Sequence, residues 1–347
     1  MRGTVAASNR GWTVHRPPAP PLVVRTVPLR CMLLALLLAQ AVPGLGQSKN
    51  GFDLSGSLVP ADLILSGGPP RDGIPALVDP GFERAKDVDW LEADDRLLAL
   101  EQGGTAKAYP IRILNWHEIV NDRVGGHGIA VTYCPLCGTG MAFDLEVSEG
   151  GRPLWQDGQP LELGVSGLLY NSDVLMYDRQ TESLWSQIGR RAITGPLRGQ
   201  QLEMIPLLHT TWGRWRKEHP DGLVLSRDTG HDRDYEVDPY MAYERSSRSM
   251  FPIAHRDDRL PEKDLVLGIT RGDAAVAFPL EGLAGLPRPV RARVGEVELF
   301  VYWFPDSETA FATTLKGEPV PATIAYWFAW SAFHPSTHLW TPERASL

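Results

Sequence analysis

Apolar residues fall in short runs separated by Gly, Pro, Asn and Asp, a pattern that predicts many short strands and few helices. Leu97–Leu100 and Ala106–Ile111 flank Gly103-Gly104, and Ile129–Tyr133 is apolar, β-branched and aromatic throughout. Leu161–Tyr170 reads as a strand, Asn171-Ser172-Asp173 as a turn and Val174–Tyr177 as the returning strand. Two helices stand out. One opens at Pro110, where a missing N–H leaves no helical bond unmade, sets Ile111, Leu114 and Ile119 toward a core, and stops at Asp122–Gly126. The other starts at Thr210 or Thr211, carries Trp212 and Trp215 on one face and ends at Pro220-Asp221-Gly222.

The same order of elements recurs downstream. Ala108-Tyr109-Pro110-Ile111 is echoed by Ala277-Phe278-Pro279-Leu280 at an offset of 169, and Met141-Ala142-Phe143 by Thr309-Ala310-Phe311 at 168. Trp212, Trp215, His219 and Pro220 match Trp327, Trp330, His334 and Pro335 at 115. The shrinking offset predicts a duplication whose second copy lacks most of residues 145–206. The expected fold is α+β, in two related halves of short antiparallel strands with a few short helices. Its parts are a removed segment 1–46, a first repeat 47–226 that includes the extra 145–206 segment, a link 227–263 rich in Asp, Arg and Ser, and a shortened repeat 264–347.

Residues 1–46 carry five Arg, no Lys and no acid, and Cys31–Val42 is an apolar run too short to span a bilayer. With Ala39-Gln40-Ala41 and Gly44-Leu45-Gly46 as small-residue cleavage sites, this predicts a cleaved signal peptide, a secreted or periplasmic product and no stable membrane anchor after cleavage. The remainder holds 29 basic against 42 acidic residues and no block of Lys and Arg, so no nucleic-acid partner is expected. No other partner is legible.

After cleavage only Cys134 and Cys137 of the three cysteines remain, in Cys134-Pro135-Leu136-Cys137-Gly138 at a strand end. A pair at this spacing suits a metal knuckle, thiol–disulfide exchange or a structural disulfide. Metal leads, because Gly138-Thr139-Gly140 is a poor helix start and so a poor thiolate stabiliser. One knuckle supplies two of four tetrahedral ligands, so zinc or copper needs others. At an offset of 169 Cys134 meets Trp303, Cys137 meets Asp306, or Pro305 if the one-residue slip falls before it, and His117 meets Leu286. His117 is absent wherever the thiols are absent, which makes it the candidate third ligand. His219 and His334 are retained in both copies and are expected to serve helix ends.

The segment without a downstream match offers Asp173, Arg179 and Glu182 as candidates for a polar cofactor pocket, with Met176 and Met204 as thioethers for copper. Gly164-Val165-Ser166-Gly167-Leu168 lacks the last glycine of a nucleophile elbow, which argues against a serine hydrolase. His231-Asp232-Arg233-Asp234 reads as a solvated loop, and Trp327, Phe328 and Trp330 as a core face.

Val131–Gly140, Gly167–Asp173, Tyr177–Trp185, Phe251-Pro252-Ile253 and Arg259-Leu260-Pro261 together resemble the bacterial family known as domain of unknown function 3179, over residues 58 to 340. The resemblance implies an exported or envelope location and supplies no reaction. The expected function is a soft-metal site at Cys134 and Cys137. A thiol–disulfide oxidoreductase with Cys134 as attacking thiol is the enzyme alternative, and a ligand-binding or interaction module pinned by a disulfide is the third.

Overall fold

The structure, a computed structural model, describes residues 47–146, 148–149, 152–153 and 159–342; the predicted signal segment 1–46 lies outside them. Among the described residues no helix is long and apolar enough to cross a membrane. The architecture is mostly β, in short antiparallel and mixed strands, and the longest helices have seven residues.

Strands β1 (Arg96–Gln102) and β2 (Thr105–Pro110) form an antiparallel hairpin across Gly103-Gly104, both at positive φ. Helix α1 (Ile111–His117) follows Pro110 directly, and it is shorter than the sequence predicts. Glu118 takes a left-handed φ of 57°, which halts the helix, and the β-branched run from Ile119 extends as β3 (Ile119–Val124). Ile119 therefore sits in a sheet, and Gly125-Gly126 turns one strand into the next instead of ending a helix. Strands β4 (His127–Cys134) and β5 (Thr139–Asp144) complete a five-stranded sheet with β3 and the short strands 77–78 and 204–205.

The next hairpin agrees with its sequence signal. Strands β6 (Leu163–Tyr170) and β7 (Asp173–Asp178) pair across Asn171 and Ser172, whose φ values of 53° and 66° make a two-residue turn that matches the strand twist. They lie in a second five-stranded sheet with strands 64–66, 184–186 and 191–192.

Strand β8 (Leu208–Thr211) runs antiparallel to β1, helix α2 (Trp212–Glu218) starts on the next residue, and β9 (Leu223–Leu225) returns parallel to β2. A one-turn helix α3 (Met241–Glu244) interrupts the 227–263 stretch. Then β10 (Leu265–Arg271), β11 (Ala274–Pro279), α4 (Leu280–Leu283), β12 (Val290–Val294), β13 (Val297–Phe304) and β14 (Thr309–Thr314) follow in the order of β1 to β5. Finally β15 (Thr323–Tyr326) pairs antiparallel with β10, α5 (Trp327–Phe333) starts at once, and β16 (His338–Leu339) lies parallel to β11. Thr211 is level with Arg96 in one ladder as Tyr326 is with Leu265 in the other. In a large mixed sheet β14 lies beside β8 and β8 beside β1.

Cys134 pairs with Thr139 across a four-residue loop, and Phe304 pairs with Thr309 across another. Cys137 and Ser307 each hold the third place of their loop. Thr139 Oγ1 donates to Cys137 O, and Thr309 Oγ1 donates to Ser307 O. His219 and His334 cap α2 and α5 through their backbone N–H groups, with rings set against Trp215 and Trp330. Among the described residues neither imidazole bonds a helix carbonyl, so the two His serve the helix ends through backbone alone.

Candidate functional site

The thiol turn joins β4 to β5. Cys137 N–H donates to Cys134 O at 3.1 Å, and Gly138 at φ 61° closes the loop. A Cβ at Gly138 would press on the Tyr326 ring at 3.2 Å, so the close approach of the second half requires glycine there. Cys134 and Cys137 are 1% and 0% exposed, and no disulfide joins them.

The β6–β7 hairpin brings the third group. Cys134 Sγ, Cys137 Sγ and a carboxylate oxygen of Asp173 all lie within 4.8 Å of one another. The Ser172 carbonyl faces both sulfurs, at 3.9 Å from Cys134 Sγ and 3.4 Å from Cys137 Sγ. Asp173 Oδ2 accepts from Ile188 N–H at 3.0 Å. Its Oδ1, with Ser172 Oγ and Gln187 Oε1, is buried without a nitrogen or oxygen partner, and the two thiols lie within reach of the carboxylate. An unpartnered buried carboxylate oxygen costs on the order of 1–3 kcal/mol unless a proton or a cation meets it.

Burial pushes both thiols up from their ordinary range, Cys137 strongly, and the neighbouring Asp173 raises them further. Burial also raises Asp173 to about 7 and Glu118 to about 8, Glu118 despite the Tyr240 hydroxyl beside it. Acidic groups thus dominate the surroundings of the sulfurs. This is the opposite of the cationic setting that activates a thiolate nucleophile.

The other predicted residues lie elsewhere. His117 is buried, but its Nδ1–H donates to Pro75 O at 2.7 Å and its Nε2 accepts from Tyr235 Oη at 2.7 Å. Both ring nitrogens are therefore used, burial holds the imidazole down at about 4, and His117 is not in the group that converges on the sulfurs. Arg179 pairs with Asp72 and Glu162, and Glu182 with Arg71, in partly exposed ion pairs. Of the polar-pocket candidates only Asp173 reaches the thiols.

Several neighbours of the thiols carry no local sequence signal. Glu118 follows His117 directly, and its turn into left-handed backbone aims it differently. Tyr243 Oη donates to Leu136 O at 2.7 Å and Lys263 Nζ sits over the Tyr243 and Tyr326 rings, so the stretch 227–263 packs on the turn rather than merely linking. Tyr326 N–H donates to Cys137 O at 2.8 Å. The tyrosine count in 227–263 was the one available signal.

No curated protein and no solved structure matches this chain. The family model described as "Protein of unknown function (DUF3179)" matches residues 71–320, a span that contains the thiol turn, Asp173 and the 227–263 stretch. The chain, with its buried Cys-Cys-Asp group at the heart of that span, belongs to the DUF3179 family.

Proposed function

We propose that Cys134, Cys137 and Asp173 form a metal centre that takes one zinc ion per chain. The observation that carries this reading is the convergence of two sulfurs and a carboxylate oxygen within 4.8 Å of one another, all three residues fully buried. Two thiolates with a carboxylate suit the borderline-soft zinc ion, whereas Cu(I) prefers sulfur alone, so copper ranks second. Zinc entry releases the thiol protons to solvent and replaces the burial penalty on the sulfurs by coordination. The redox alternative is weaker because neither sulfur is exposed and acids rather than cations surround both.

Around this centre we read the chain as a duplicated unit: residues 47–226 with the added 145–206 segment, a link 227–263, and a shortened 264–347. The matched strand order and the two Thr-to-loop hydrogen bonds support it. Export by the 1–46 segment, into the periplasm or out of the cell, fits that segment's charge and apolar run.

The test is elemental analysis after zinc loading and desalting. Wild type should retain one equivalent, Cys134→Ser and Cys137→Ser almost none, and Asp173→Asn should weaken affinity about tenfold or more with the fold intact by circular dichroism. His117→Ala should leave stoichiometry unchanged. Loss of all metal from wild type on desalting would overturn the reading.

A further inference from the structure

A second feature stands apart from the metal reading. Between the starts of β1 and β10 lies a cleft of about 500 Å³, within the size range of small-molecule sites, with Gly138 of the thiol turn and Tyr326 of β15 on one side. Its two walls come from matching ladder positions but differ in chemistry. One wall presents Arg96 and His209; at the corresponding places the other presents Leu265 and Ile324.

Arg96 Nη2 donates to Glu244 at 2.6 Å, and the remaining donors of its guanidinium fork meet no protein acceptor among the described residues. Lys263, also at the cleft, is committed, since its Nζ donates to Tyr243 O and Glu244 O. Asp264, Glu281 and, within electrostatic reach of Arg96, Glu308 line the same space and take part in no ion pair among the described residues. Burial pushes the Asp264 carboxyl up and the Glu281 charge adds to it, so the two acids lie within electrostatic reach of each other.

We propose that this cleft binds an amino-acid-like zwitterion with an apolar side chain. Its carboxylate meets the free edge of Arg96, its ammonium meets Asp264 and Glu281, and its apolar group lies on the Leu265 and Ile324 wall. A simple anion would suffer from the two acids and a simple amine from Arg96. A molecule carrying both charges satisfies all three at once.

The test uses the whole protein, metal-free and zinc-loaded, and leucine, isovalerate and isoamylamine as probes in calorimetric titrations. Leucine should bind, and each singly charged analogue should bind about tenfold more weakly or worse. Asp264→Asn combined with Glu281→Gln should close the gap between leucine and isovalerate. Arg96→Met should close that between leucine and isoamylamine; Arg96→Lys, which keeps the charge but not the fork, covers the case in which Arg96→Met fails to fold. Equal binding of all three probes, or no leucine binding at about 10 mM, overturns the proposal. Zinc content is measured separately, so failure here leaves the metal reading untouched, and the reverse also holds.

Discussion

Ser172 shows how one residue is held against its own preferences. It sits at φ 66°, where a side chain is strained, and its hydroxyl is buried with no partner, yet its carbonyl faces both sulfurs. Glycine keeps that carbonyl and removes both penalties. Ser172→Gly should therefore stabilise metal-free protein by about 1 kcal/mol in urea unfolding, since Asn-Gly suits this turn best. A loss of stability would mean that the hydroxyl has a partner after all. Glu118 is the complementary case: the same left-handed backbone at φ 57° ends α1 and leaves a buried acid facing Asp173. A helical pattern continued through Ile119 hides this, because periodicity records which positions are apolar and not where one residue reverses the chain.

Among the elements, those set by near neighbours were legible in the sequence. The Asn171-Ser172 hairpin, the helices opening at Pro110 and Pro279 and the paired tryptophan helices all depend on residues a few places apart. What covers the thiols was not legible, because Tyr243 and Tyr326 reach the turn from more than 100 residues away. Local patterns carry no trace of such contacts, and this is also why His117 looked like a ligand while Tyr235 and Pro75 had already claimed its ring. The β15–α5 arm forms one side of that cover. Tyr326→Ala should open it, so the thiols of metal-free protein should react with a water-soluble disulfide reagent about tenfold faster or more than in wild type. Unchanged reactivity would place the entry route elsewhere.

Across the whole molecule, burial sets the response to acid. His117, His209 and His334 are all held down at about 4, against about 6.5 when unfolded, mainly by loss of water around the ring. A depressed imidazole means that the unfolded chain binds more protons between those values. Stability from these rings is thus complete above pH 6.5 and falls as pH drops toward 4. Asp173 and Glu118, raised to about 7 and 8, act in the opposite direction, because their folded forms hold protons that the unfolded chain releases. Comparing variants isolates one ring. His334, which faces Trp330 and the Arg190 charge, is outside the Cys-Cys-Asp group. His334→Gln should flatten the stability curve between pH 6.5 and 4 by up to about 1.4 kcal/mol per pH unit. An identical slope would show that this imidazole titrates normally.

The Tyr326 hydrogen bond to Cys137 also has a meaning in time. The thiols leave the synthesising machinery almost 190 residues before the tyrosine that closes over them. For that interval the pair is an open dithiol, available to oxidants and to any passing thiophilic ion, and the docking of β15 ends the exposure. The chain's own order thus acts as a clock. Whatever the two sulfurs hold in the finished protein must be chosen before β15 docks, and exchange afterwards requires that arm to lift.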